Sequence, residues 1–105
     1  MRFCQILTFT PAEHLVPLAR HAEAVGFDSV AFSDHVVYPL GFTTNYPYSA
    51  DGMPAYTPES PWLDPLVAIA ACAAATERLR FITNVYVLGY RHPIAVAKQV
   101  ASTDF

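Results

Sequence analysis

Charge is scarce in this chain, and cysteine and glycine are scarcer still. Only 14% of its 105 residues are charged, with six lysines and arginines, nine acidic residues, two cysteines and four glycines. The basic residues are scattered singly, so no electrostatic footprint for nucleic acid is present and no nucleic-acid partner is expected. The cysteines lack the spacing of metal ligands, so no metal is expected, and a disulfide would be unusual in a reducing compartment. Cys4 falls in a strand-like run and Cys72 in an alanine-rich one, and both are expected as small core residues. The longest apolar stretch, Leu66 to Ala75, is too short to span a bilayer. A membrane partner is therefore not expected. The amino terminus enters a strand-like run without a charged region and an apolar core, so no secretory leader is expected either. Cytoplasmic location is the resulting expectation.

Apolar residues, by contrast, make up 53% of the chain. That composition suits a globular core, and the length leaves room for one domain. The run Arg2 to Phe9 reads as a strand. Thr10, Pro11 and Glu13 then supply an N-cap, a first-turn proline and a capping box for a helix. Leu15, Leu18, Ala19, Ala22 and Val25 recur at helical spacing, and Gly26 is placed to end that helix in a left-handed conformation. A second strand, Phe27 to Phe32, follows at once. A second helix is predicted from about Asp64 to Thr76, with Asp64 as its cap and Pro65 in its first turn. A third strand, Leu79 to Val87, reads as a run buried on both faces. A third helix opens near His92-Pro93, with Ile94, Ala97, Val100 and Ala101 on one side.

Strands and helices alternating in this way predict an α/β fold with a parallel sheet. Three such strands leave two open edges, and parallel sheets normally have both faces covered. A piece of this kind is expected to associate with another copy or with further chain.

Ser33-Asp34-His35 closes the second strand-like run, placing a histidine and a carboxylate at a strand's carboxyl end. Ligands of parallel α/β proteins bind there. A histidine in that position can take or give a proton near neutral pH. The bland reading of the dyad is a turn or a helix cap. The connection that follows, residues 34–61, holds five prolines, two glycines and four of the six tyrosines. Loops of that length are uncommon unless functional or disordered, and the tyrosines argue for contact surface. It reads as a lid or binding wall over the carboxyl end of the sheet, or as a packing surface between subunits. His14 and His21 fall on the first helix, away from the strand ends, and are expected at the surface. Arg91-His92-Pro93 opens a helix and in principle attracts an anion.

Three stretches carry a resemblance to a known family. They are Ala22 to Val30 leading into Ser33-Asp34-His35; Asp64-Pro65-Leu66 through Ala75 to Arg80; and Tyr90-Arg91-His92-Pro93 through Ala97-Lys98-Gln99. Their order and spacing resemble the N-terminal part of the luciferase-like monooxygenases, the flavin- or F420-dependent (β/α)8 barrels. The resemblance implies that residues 1–105 are the first three βα units of such a barrel. A whole barrel takes about 250 residues, so this is an incomplete one.

The resemblance also implies a chemistry. His35 would be the catalytic residue, a proton donor or acceptor beside the deazaflavin ring, with Asp34 orienting it or hydrogen-bonding the cofactor. Asn84-Val85 is the position where the family often keeps a non-prolyl cis peptide or bulge behind the ring. Asn84 is also readable as a core asparagine satisfied by its sheet neighbours. Thr8-Phe9-Thr10 falls on the substrate side, and the cofactor phosphate would be held mainly by later units of the barrel. The Ser33-Asp34-His35 form resembles the coenzyme F420 branch more than the FMN luciferases. The expected function is thus hydride transfer between F420 and a small-molecule substrate. An FMN-dependent monooxygenase and a non-catalytic half-barrel assembling through its open strand edges are the alternatives.

Overall fold

The computed structural model describes residues 1–41, 43 and 45–104. Among them three short runs are extended: β1 (Cys4–Ile6), β2 (Ser29–Phe32) and β3 (Arg80–Thr83). All pairing is parallel, in the order β1-β2-β3. The central strand β2 is buried along its whole length. Three α-helices accompany the strands: α1 (Ala12–Ala24), α2 (Pro65–Ala73) and α3 (Pro93–Thr103), with a single 3-10 turn at Leu88–Tyr90 before the last. The α/β class and the parallel sheet are as the sequence predicts. No described helix is long and apolar enough to cross a membrane.

The register sorts side chains onto two faces. Val30 and Phe32 join Leu7, Leu15, Ala19, Ala22, Ala68, Ile69, Cys72 and Leu79 in one core, so α1 and α2 cover that face. The opposite face aligns Cys4 with Ser29 and Arg80, and Ile6 with Ala31 and Ile82. Ile6 remains 56% and Ile82 45% exposed. This corrects the expectation for Cys4, which is exposed, whereas Cys72 is buried. All three residues of β1 are exposed, and Cys4 and Ile6 lie on the face that the helices do not reach. β3 alternates exposed and half-buried residues rather than burying both faces.

Local chemistry sets the helix ends. Gly26 has φ 90°, and its N–H and that of Phe27 bond to the carbonyls of Glu23 and Ala22. This is the paired-bond C-terminal motif that favours glycine. Asp64 caps α2, accepting from the N–H groups of Leu66 and Val67 at 2.9 and 3.3 Å. The capping box expected at Thr10 and Glu13 does not form. Pro11 itself is the N-cap of α1, with no side-chain cap bond, and Glu13 therefore sits one position too early to reach back. α2 ends at Ala73 rather than Thr76, because the N–H groups of Ala75 and Thr76 bond to carbonyls three residues back and tighten the last turn.

Glu23 contributes a contact that periodicity does not foresee. One carboxylate oxygen accepts the N–H groups of Glu77, Arg78 and Leu79 at 2.9, 2.6 and 2.9 Å. The amide of Arg78, against some desolvation, holds this carboxyl below its usual range. The end of α1 is thereby tied to the turn that feeds β3.

Gly26→Ala tests the left-handed turn by itself, since an added Cβ meets nothing within 4 Å. Its cost should be that of the backbone conformation, about 1–2 kcal/mol, read as a lower urea midpoint at unchanged slope. An unchanged midpoint would show that this turn does not constrain the fold.

Candidate functional site

The carboxyl ends of β1 and β2 are fastened together before either reaches the site. The Thr8 and Ser33 hydroxyls are hydrogen-bonded at 2.7 Å, and Ser33 N–H donates to Thr8 Oγ1 at 3.3 Å. The Trp62 indole N–H donates to the Ser33 carbonyl at 3.1 Å. The segment leading into α2 therefore crosses over the end of β2. Phe9 adopts φ 61° just past β1, and its ring lies 4.8 Å from that of Trp62.

His35 follows directly and is half-buried. Its ring centroid is 4.5 Å from Trp62 and 5.0 Å from Tyr56. Its Nε2 is hydrogen-bonded to the Tyr56 hydroxyl at 2.8 Å. Tyr56 also meets Trp62 edge-on at 4.8 Å, Phe9 at 6.2 Å and Tyr38 at 5.7 Å. Burial raises the Tyr56 phenol above its usual value, so it keeps its proton through the neutral range. The long 34–61 connection thus contributes Tyr38 and Tyr56 to an aromatic enclosure around the imidazole.

Asp34 does not orient His35 by a hydrogen bond, one of the two roles the resemblance implies for it. One oxygen of its carboxylate accepts from Arg91 Nη1 and, at 2.8 Å, from the Val87 N–H; the other accepts from Arg91 Nη2 at 2.9 Å. The Asp34 side chain is only 1% exposed, against 18% for Arg91. Desolvation alone would raise this carboxyl. The Arg91 and Val87 hydrogen bonds and the nearby positive charge outweigh it and bring the group below its ordinary value. Arg91 also donates to Asp64 at 3.1 Å and to the Val87 carbonyl at 3.1 Å, with its guanidinium 4.4 Å from the centre of the Tyr86 ring. The partner of His35 is Tyr56, and that of Asp34 is Arg91. Neither pairing had a local signal: the members stand 21 and 57 residues apart. The sequence marks Arg91 only as part of a helix opening that attracts an anion, without naming the anion.

β3 stops at Thr83 instead of Val87. The Val87 amide, which a longer strand would offer to the ladder, is spent on Asp34. Asn84 N–H still reaches the Phe32 carbonyl at 2.8 Å, which keeps the start of this segment beside the end of β2. The Asn84–Val85 peptide is cis, at the position the resemblance marks. Both residues are exposed, Val85 to 64%. The structure therefore brings His35, Asn84 and Val85 to neighbouring strand ends, and engages Asp34 in the ion pair with Arg91. His14, His21 and His92 lie exposed on or beside helices. Among the described residues no group of three histidine, cysteine or acidic side chains is placed to hold a metal ion.

A parallel sheet with helices between its strands makes this an α/β protein, the class whose ligands bind at the carboxyl ends of the strands. The particular family follows from comparison with known proteins. Residues 3–104 match the family model of the luciferase-like monooxygenases, and the chain belongs to that family. Uncharacterized proteins of Mycobacterium tuberculosis and Mycobacterium bovis are similar to it, at 38% identity over 102 residues. The match covers 97% of this chain and 35% of the relative. A second uncharacterized protein of Mycobacterium tuberculosis is 31% identical over 104 residues, covering 94% of this chain and 36% of its own length. The chain thus spans about a third of the length of the curated relatives it matches.

Asp34→Asn keeps the shape of the side chain but leaves the Arg91 charge without its buried partner. Unfolding free energy should fall by about 3 kcal/mol, measured by urea denaturation. Wild-type stability should carry a matching acid limb. The native carboxyl titrates below its unfolded value, so the contribution is complete above roughly pH 4 and is lost as the pH falls through the depressed native value. A variant within about 0.5 kcal/mol of wild type would show that the pair holds nothing.

Proposed function

We propose that this chain is the first part of a (β/α)8 barrel oxidoreductase that transfers a hydride between coenzyme F420 and a small organic substrate. His35 is the proton-handling residue, and the cofactor lies across the strand ends at His35, Asn84 and Val85. The observation that carries this reading is the half-buried imidazole at the carboxyl end of β2, bonded through Nε2 to the Tyr56 hydroxyl at 2.8 Å. Family membership adds to it, as does the consecutive parallel order of three strands with helices on one face, the pattern of successive barrel units.

The residues present suit a flat, largely apolar ring system with a polar edge. Val85 offers exposed apolar surface beside the end of β2, and His35 offers a group able to donate or accept. The ring, when bound, supplies the hydride chemistry, and the protein supplies orientation and proton handling. Tyr56 and Trp62 shield one side of the imidazole from water, and Phe9 packs against both of them. Asp34 acts indirectly: by fastening Arg91 and the Val87 amide it fixes the segment that presents Asn84 and Val85. A small-molecule substrate and a cytoplasmic location belong to the same reading. Association of the open-edged sheet with further barrel units or with another copy belongs to it too, and the exposed Ile6 and Ile82 on the uncovered face favour such association.

Fluorescence titration of the purified chain with F420, and in parallel with FMN, tests cofactor choice. Saturable binding of F420 alone supports the proposal. Binding of FMN alone would move the chain to the flavin-dependent monooxygenases, and binding of neither would leave it a non-catalytic half-barrel. In the complete barrel, His35→Ala should lower turnover by about 10²–10⁴-fold, the usual worth of general acid–base catalysis. Undiminished turnover would remove His35 from the mechanism.

A further inference from the structure

We infer that Tyr56 is a positioning residue for His35, holding the neutral imidazole as the Nδ1–H tautomer so that this N–H is the group presented to a bound ligand. The inference rests on the reading of His35 as the proton-handling residue. Tyr56 reaches the imidazole from 21 positions along the chain, and its ring is confined on several sides. Trp62 meets it edge-on at 4.8 Å, Tyr38 edge-on at 5.7 Å, and Phe9 stacks at 6.2 Å. Enclosure of that kind leaves the phenol little freedom to turn its oxygen elsewhere.

The direction of the hydrogen bond follows from the chemistry of the two groups. The phenol keeps its proton in the neutral range, because burial and the neighbouring tyrosines Tyr46 and Tyr38 disfavour the phenolate. A phenol is a better donor than acceptor, and an unprotonated imidazole nitrogen is a good acceptor. With Tyr56 donating to Nε2, the ring proton must reside on Nδ1, since the bond made by one nitrogen selects the state of the other. Among the described residues Nδ1 makes no hydrogen bond, so it is the nitrogen left for a ligand. The titratable groups around the imidazole are Asp34 beside it, whose charge Arg91 and the Val87 amide already engage, then Tyr56 and behind it Tyr38 and Tyr46. Phe9 and Trp62 contribute no charge. No other described side chain competes with Tyr56 for Nε2.

Tyr56→Phe removes one oxygen and retains the ring contacts. Long-range ¹H–¹⁵N correlation spectra of the chain, taken above the titration of its histidines, report the His35 tautomer directly. Wild type should show the proton on Nδ1. Tyr56→Phe should return His35 toward the Nε2–H form that free histidine prefers. A wild-type spectrum with the proton on Nε2 overturns the inference, whether or not the variant folds, and so does a folded variant with an unchanged tautomer. In the complete barrel the same substitution should lower kcat by about tenfold, with little change in KM and a displaced pH profile. The two readings fail separately. If Tyr56→Phe changes the tautomer but His35→Ala leaves turnover intact, positioning stands and the catalytic reading falls. If His35→Ala abolishes turnover while the tautomer ignores Tyr56, the positioning inference falls alone.

Discussion

A carboxylate taken almost wholly out of water must be compensated by its neighbours, and Asp34 obtains that compensation from three directions. Arg91 meets both its oxygens and the Val87 amide meets one of them. Arg91 in turn carries Asp64, which caps α2. One charged cluster therefore joins the end of β2, the segment after β3 and the start of α2. Burial of ions is costly unless every partner is in place, so these elements cannot drift apart independently. The arrangement of the candidate site follows from that constraint, because Asn84 and Val85 lie on the segment that Asp34 holds.

Beside the cluster the chemistry changes from charge to aromatic surface. His35 lies next to Asp34 in sequence, yet it packs against Tyr56 and Trp62, with Phe9 behind both of those rings. Adjacent residues on an extended chain point to opposite sides, and this separation gives the dyad two tasks. The aspartate serves the scaffold. The histidine faces Tyr56 and Trp62, and in the function proposed above it is the residue that meets the ligand. A parallel sheet makes this possible by delivering several strand ends to one rim, where residues remote in sequence become neighbours.

Much of the fold is legible along the chain. The strand and helix order, the Asp64 cap, the glycine turn at Gly26 and the start of the third helix at Pro93 are all written in local spacing and residue type. Errors gather where a neighbour in space decides. Cys4 sits in an apolar run and reads as core, but the face it shares with Ser29 and Arg80 is not the one the helices cover. Leu79 to Val87 reads as one strand, but β3 stops at Thr83 and the Val87 amide goes to Asp34. Thr10 and Glu13 spell a capping box, but Pro11 occupies the cap and displaces the register by one. For the site, His35, Asn84 and Val85 were marked in sequence and come to neighbouring strand ends; the tyrosine-rich connection marked the stretch that holds Tyr56 and the helix opening marked Arg91, but neither their partners nor Trp62 carried a local signal.

The sequence by itself determined the α/β class, the parallel order and the family, because periodicity, caps and motif spacing are properties of contiguous residues. Only the tertiary structure decided which partner each polar group takes. Asp34 belongs to Arg91, His35 to Tyr56 and Glu23 to the amides before β3. These choices depend on distances across the fold, where a hydrogen bond is won or lost over a fraction of an ångström. No spacing along the chain encodes them.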